Sequence, residues 1–325
     1  MMMSDDRNFR YFYYEKVGFR GVEEKKSLDI LLTEKPNDLL SKLSAFAHRF
    51  PIPGMYRKLI WKLLLDVMTV NELQSNSVDN SFVCREQLHH CYDLRRALEI
   101  MLYTDNSTGH SKLMVLMYFL EFAELNINID KQFQTNEVKD LLMISDVFAK
   151  EFIDDKNKAE DNIDDIYWLF RNLISTVRNN FYALIDTYEK FINCLAQEDR
   201  SLHCHLVKIG IIKVQTNQIP TNSCVKLNYK KYNTEEYRPI ITWFVRFYAG
   251  IIDHHCLIRI FDKVIGALIY GNRPFAVLGS LGKAVLSQLR TELLNMNTCE
   301  DITKRLLTPL TLEQSEEVVI KALTP

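Results

Sequence analysis

The chain has 325 residues, enough for about two domains, or one large two-lobed one, at the usual ~150 residues per domain. Its 47% hydrophobic and 25% charged residues are globular averages, and only 10 glycines and 8 prolines exclude a collagenous, linker-dominated or turn-dense all-β chain. Forty Lys and Arg against 42 Asp and Glu leave a net charge of −2, which supplies no global field for a phosphate backbone, so no nucleic-acid partner is expected.

In chain order, Met1-Met2-Met3-Ser4-Asp5-Asp6-Arg7-Asn8 carries charge where a secretory signal needs an apolar run, which predicts a cytoplasmic protein. Between Pro36 and Pro51, Leu39, Leu40, Leu43, Phe46, Ala47 and Phe50 recur at three- and four-residue steps behind a cap at Asn37 or Asp38. Pro51-Ile52-Pro53-Gly54 stops that helix, and Leu59, Ile60, Leu63, Leu64 and Val67 begin the next apolar face. Residues 71–81, polar and rich in Asn and Ser, read as a loop. Helices follow at about 85–103, 111–125 and 137–153.

The clearest period runs Ile163, Ile166, Tyr167, Phe170, Leu173, Ile174, Val177, Phe181, a wide apolar stripe that must be packed. Trp168 lies beside it and is expected in the core, where truncation to alanine would cost about 3–5 kcal/mol. Residues 213–233 show little apolar periodicity and read as a mobile insertion. Further helices are expected at about 183–197, 234–250, 255–270, 274–296, 300–307 and 312–323, with Thr298 and Glu300-Asp301 marking a start. The most apolar region, 239–252, is interrupted by Arg246, so no membrane span is predicted. The chain reads as all-α, without a fixed-period repeat.

Motifs for chemistry are mostly negative. Gly279-Ser280-Leu281-Gly282-Lys283 resembles a phosphate loop, but Val277 stands where the first glycine belongs and Ala284 where the hydroxyl belongs. Leu278 likewise breaks a nucleophile elbow at Ser280, which reads instead as a small residue at a helix crossing. The triplets His89-His90-Cys91, His203-Cys204-His205 and His254-His255-Cys256 cannot wrap one ion, because consecutive helical residues point ~100° apart. The acidic run 154–161 lacks the glycine of an EF-hand loop and reads as a solvated connection. No metal or cofactor is expected, and the seven scattered cysteines, without a CxxC pair, read as reduced and mostly buried.

A set of tryptophans and arginines is more informative. Arg57 and Trp61 stand four apart on one helix, where a cation–π staple is the simplest use of them. Tyr167-Trp168-Leu169-Phe170 lies in the strongest stripe, and Trp243-Phe244 precedes Ile258-Arg259-Ile260-Phe261-Asp262. Taken in this order, they resemble the TBC domain of Rab GTPase-activating proteins: an RxxxW motif at Arg57 and Trp61, an aromatic segment around Trp168, and a Trp-Phe…Leu-Arg-Ile-Trp-Asp segment at Trp243, Arg259 and Asp262. The resemblance implies a two-lobed all-α fold over residues 45–295, interrupted by 213–233. A leader with a first helix (1–44) and C-terminal helices (296–325) flank it.

The same resemblance implies chemistry that can be checked by residue. TBC activators supply an arginine from IxxDxxR and a glutamine from YxQ to a bound GTPase, and losing the arginine forfeits about 10³–10⁵ in rate. Here the first motif is reduced to His90-Cys91-Tyr92-Asp93-Leu94-Arg95-Arg96, so Asp93 and Arg96 are vestigial finger candidates, equally explained as an exposed intrahelical ion pair. No YxQ occurs in the chain; Asn126-Ile127-Asn128-Ile129-Asp130 stands where it belongs.

Arg7-Asn8-Phe9-Arg10 and the run from Tyr14 to Ser27 are similar, within the family, to the leader of the small TBC subunits of the tuberous sclerosis complex. Arg49-Phe50-Pro51, Tyr56-Arg57 and Asp262-Lys263-Val264 extend that likeness. It implies a non-catalytic subunit that binds a hamartin coiled coil and, through it, tuberin, restraining Rheb and target-of-rapamycin signalling. Recruitment to lysosomal or vesicle membranes would then come through the complex. The alternatives are a Rab activator using Arg96 with the GTPase's own glutamine, or an effector that binds a Rab without accelerating it.

Overall fold

A computed structural model describes residues 21–33, 38–70, 73, 78–101, 103–104, 108–126, 129–153, 163–212, 239–270 and 273–324. Fifteen helices occur among them and no strand: α1 (Gly21–Thr33), α2 (Leu39–Arg49), α3 (Gly54–Leu64), α4 (Val78–Ile100), α5 (His110–Glu121), α6 (Ile129–Phe133), α7 (Asn136–Phe152), α8 (Ile163–Asn179), α9 (Phe181–Glu198), α10 (Arg200–Ile209), α11 (Pro239–Val245), α12 (His254–Tyr270), α13 (Ala276–Asn295), α14 (Cys299–Leu307) and α15 (Leu312–Leu323). None of the helices is long and apolar enough to cross a membrane. The leader before Gly21, the 213–233 insertion and the acidic 154–161 run lie outside the described residues.

Local chemistry explains the boundaries. Thr135 caps α7 by accepting from the Val138 N–H, Asp199 caps α10 through Leu202, and Thr298 caps α14 through Asp301, as its sequence signal predicts. Thr311 and Gln314 close a capping box on α15. Asp38 stands at the N-cap of α2, but its side chain accepts no capping hydrogen bond. Helix α10 ends at Gly210, whose φ of 88° is the left-handed conformation glycine adopts without steric penalty.

Several expectations are corrected. The polar 71–81 segment is partly helical, because α4 begins at Val78 rather than near 85. The helix expected over 234–250 stops at Val245, where the chain turns through Phe247 and Tyr248 at φ of 52° and 65°. Helices α1, α6 and α10 were not visible as periodic stripes. Among the described cysteines, Cys91 and Cys256 are buried, Cys194 is intermediate, and Cys204 and Cys299 are exposed, so "mostly buried" does not hold. Ser280 is exposed; it is Gly282 that lets α13 approach, since a Cβ there would meet the Tyr248 hydroxyl at 2.7 Å and Phe191 at 2.9 Å.

The packing forms two groups of helices around one contiguous core. Helices α4, α5, α7 and α8 pack on each other, with the whole Ile163–Val177 stripe of α8 buried at their centre. Helices α9, α10, α13 and α15 form the second group, with α11 against α14. Helix α12 joins the groups: it lies along α2 and touches α3, α8, α13 and α15. It approaches α2 closely at Gly266, where a Cβ would stand 2.8 Å from that of Ala47 and the Ser44 hydroxyl donates to the Gly266 carbonyl at 2.6 Å.

Candidate functional site

The two ends of the sequence pattern meet in space. Asp262 of α12 is fully buried and gathers four donors: Arg57 Nε at 3.1 Å and Nη2 at 3.4 Å, Trp61 Nε1 at 2.9 Å, and the Ile52 N–H at 3.2 Å. Arg57 also donates Nη2 to the Ile52 carbonyl and Nη1 to Glu151 Oε1, each at 2.5 Å. His254, at the start of α12, reaches the other Glu151 oxygen at 3.2 Å. Trp61 packs against Phe148, Phe152 and Phe261. Arg57 and Trp61 therefore share a carboxylate and do not form the expected staple. The proline segment 51–53 presents both backbone groups of Ile52 to this network.

Burial dominates the electrostatics here. It pushes the Asp262 carboxyl up to about 6 despite Arg57, Trp61 and the Ile52 N–H. On Glu151 burial is likewise the largest effect, but the hydrogen bond from His254 and the charge of Arg57 outweigh it and hold the carboxyl below its ordinary value. At neutral pH the cluster is an ionised, hydrogen-bonded core clamp tying α3, α7 and α12 together. Asp262 and Trp61 at its centre are fully buried and Arg57 is buried.

The remaining signature residues are also placed by packing. Trp243 is fully buried and donates to the Leu306 carbonyl at 2.8 Å, fixing α11 to the end of α14. Arg246, the charge that interrupts the most apolar run, pairs with the fully buried Asp140 of α7. Trp168 is only partly buried, which corrects its expected place in the core. It sits outside the stripe, donating to the Gln87 carbonyl at 3.4 Å under Arg171, whose guanidinium carbon is 5.0 Å from the ring centre. Arg259 is partly exposed, at the wall of a groove between α2, α12 and α15.

Helix α4 carries the finger candidates. Asp93 and Arg96 are exposed, and Arg96 pairs with Glu99 at 3.1 Å instead of with Asp93. The adjacent Arg95 turns inward toward Asp164, 3.5 Å away. Behind α4, Glu121 accepts from Arg171 at 2.8 and 3.0 Å and from the Tyr167 hydroxyl. Cys91 is fully buried, and that burial pushes its thiol well above the ordinary value. Burial raises the Glu121 carboxyl less than its partners Arg171 and Tyr167 lower it. After α5, the amide of Gln132 is committed at both ends: it accepts from the Asn126 N–H at 2.8 Å and donates to the Glu124 carbonyl at 3.0 Å.

The outer face of α4 has a feature that sequence reading missed. Leu88, Tyr92 and Ile100 are 49, 58 and 67% exposed. At ~100° per residue they fall, with Arg96 and Glu99, within about 120° of the helix circumference, on the side away from buried Cys91, Leu94 and Leu98. The result is an apolar stripe with charges set into it. Among the described residues no group of three or more His, Cys, Asp or Glu gathers to hold a metal.

No family model matches the chain. It is 31% identical over 324 residues to TBC1 domain family member 7 of Danio rerio, an alignment covering 99% of this chain and 95% of that protein. The proteins of the same name from Bos taurus and Homo sapiens are 30% and 28% identical over 327 residues, with the same coverage. Among solved structures the chain is similar to the Ypt/Rab-GAP domain of Gyp1p, with a TM-score of 0.52, 13% identity, and 93% of this chain and 97% of that one covered. That likeness is one of fold.

Proposed function

We propose that this chain, which belongs to the family of TBC1 domain family member 7, is a non-catalytic TBC-fold subunit that binds a coiled-coil segment of hamartin on the outer face of α4. Through hamartin it joins tuberin, in an assembly restraining Rheb and target-of-rapamycin signalling from the cytoplasm and from the lysosomal or vesicle membranes to which the complex is recruited. The observation that carries this reading is the exposed Leu88–Tyr92–Ile100 stripe. Helix-in-groove and coiled-coil partners are read as apolar anchors at three- and four-residue steps beside charges that set register, and α4 offers that pattern toward solvent.

The non-catalytic part is supported by the absence of YxQ from the sequence, by the commitment of Gln132 to backbone groups, and by the intrahelical pairing of Arg96. A second reading, a GTPase activator for a Rab, is favoured by the exposure of Arg96 and the likeness of fold to a Ypt/Rab-GAP domain. Co-purification of a hamartin coiled-coil fragment with the full chain tests the first. Leu88→Glu with Ile100→Glu is expected to abolish capture while leaving the melting curve within about 0.5 kcal/mol of wild type, because both positions are exposed. Undiminished capture would remove the assignment to α4.

A further inference from the structure

Cys194 and Glu198 stand four apart on one face of α9, and Lys283 reaches them from α13. The Cys194 thiol donates to Glu198 Oε1 at 3.0 Å and the Lys283 ammonium donates to the same oxygen at 2.9 Å, so a sulfur and an amine nitrogen share one acceptor atom. The thiol is also the largest of the influences that hold the Lys283 ammonium above its ordinary pKa, ahead of Glu198. Cys194 and Lys283 are partly exposed and Glu198 is exposed. Both Cys194 and Lys283 line a cleft of about 410 Å³ between α9 and the start of α13, which admits a small reagent. Cys91 and Cys256 are buried and lack that access.

We propose that Cys194 and Lys283 are the two halves of an oxidative cross-link, a sulfenamide formed with hydrogen peroxide that staples α9 to α13. In the first step Cys194 Sγ takes one peroxide oxygen; the O–O bond breaks, sulfur is oxidised by two electrons to the sulfenic acid, and one water leaves. The neighbouring cation favours the thiolate that reacts. In the second step Lys283 Nζ, having given one proton to solvent by way of Glu198, attacks Sγ. The S–N bond forms, the S–O bond breaks, and the hydroxyl leaves with a proton from Nζ as a second water. The product, Cys–S–NH–Lys, is two hydrogens lighter than the reduced chain with a neutral lysine. It closes a long stretch of sequence and so constrains the unfolded chain as a disulfide does. The pair lies apart from α4, so the proposal stands or falls independently of hamartin docking.

The test treats the full chain with hydrogen peroxide, blocks free thiols with N-ethylmaleimide, and maps proteolytic peptides by mass spectrometry. The expected product is one peptide joining residues 194 and 283, two hydrogens lighter than its two linear parts and restored to them by dithiothreitol. Oxidation is also expected to raise the melting temperature of the wild-type chain. Cys194→Ser removes the cross-link. Lys283→Arg keeps the charge without the attacking amine, so the cross-link is lost while sulfenic acid trapped by dimedone at Cys194 rises at least tenfold over wild type. Both positions are open to solvent, so neither change empties the core. Sulfenic or sulfinic acid at Cys194 of the wild-type chain with Lys283 free, or dimedone trapping that is equal in wild type and Lys283→Arg, would overturn the proposal.

Discussion

Asp262 holds a charge in the core on the strength of four donors, and its protonation makes a prediction with a definite sign. Its folded pKa, about 6, lies above its ordinary 3.8, so in this window the folded state holds the proton more tightly than the unfolded one. Stability contributed by this group is therefore full below pH ~3.8 and declines as pH rises toward ~6. Glu151, held below its ordinary value, acts oppositely and loses its contribution as pH falls through its folded pKa. Asp262→Asn should flatten the decline between pH 4 and 6 in urea titrations of wild type against variant; an unchanged difference across that window would refute the assignment. Asp262→Ala, by contrast, leaves Arg57 Nε, Trp61 Nε1 and the Ile52 N–H without their acceptor in the core and is expected to cost about 3–5 kcal/mol. Trp168 sharpens the lesson about reading aromatics. It lies ~100° round the helix from Tyr167 and so leaves the stripe that buries its neighbours. Trp168→Ala should cost about 1–2 kcal/mol, through its hydrogen bond and the stacked Arg171, whereas Trp61→Ala should cost about 3–5. Equal losses by thermal denaturation would contradict this ranking.

At the scale of elements, periodicity exposed the packed helices and hid the others. The α8 stripe was legible because nearly half its circumference is apolar, while α10 was missed because it buries only Leu202 and Leu206. The end of α11 was misjudged for a different reason: Phe247 and Tyr248 continue the apolar run while adopting left-handed backbone angles, at roughly 1–2 kcal/mol each, that their burial offsets. The contact of α2 with α12 was equally invisible, since only in three dimensions does Gly266 face Ala47. Gly266→Ala should destabilise the fold by about 1–3 kcal/mol by overpacking, although alanine is the better helix former. A stabilised urea midpoint would show that α2 can withdraw without loss. The outer stripe of α4 escaped notice because buried and docking faces share one period, and exposure, not spacing, separates Leu88, Tyr92 and Ile100 from a core.

For the whole molecule, the fold was legible and the chemistry was not, because a TBC architecture is specified by many buried residues and catalysis by two exposed ones. Arg57, Trp61 and Asp262 converge on the clamp that ties α3, α7 and α12, Trp243 fixes α11 to α14, and all four are buried. The catalytic alternative is then tested at Arg96, the arginine of the two finger candidates. If Arg96 neutralised charge in a GTPase transition state, Arg96→Ala would lower activator-stimulated hydrolysis by about 10³–10⁵. Its structural commitments predict otherwise: the guanidinium pairs with Glu99 at the surface, and no YxQ glutamine stands in the chain to orient water. The expected outcome of single-turnover hydrolysis with Rheb and a panel of Rabs is no acceleration by the wild-type chain and no change on Arg96→Ala. Because Arg96 lies within the apolar stripe, its truncation should alter capture of the hamartin coiled coil by less than tenfold, whereas a charge at Leu88 or Ile100 removes it. A hundredfold loss of hydrolysis with unchanged capture would reverse the assignment and make α4 a catalytic face.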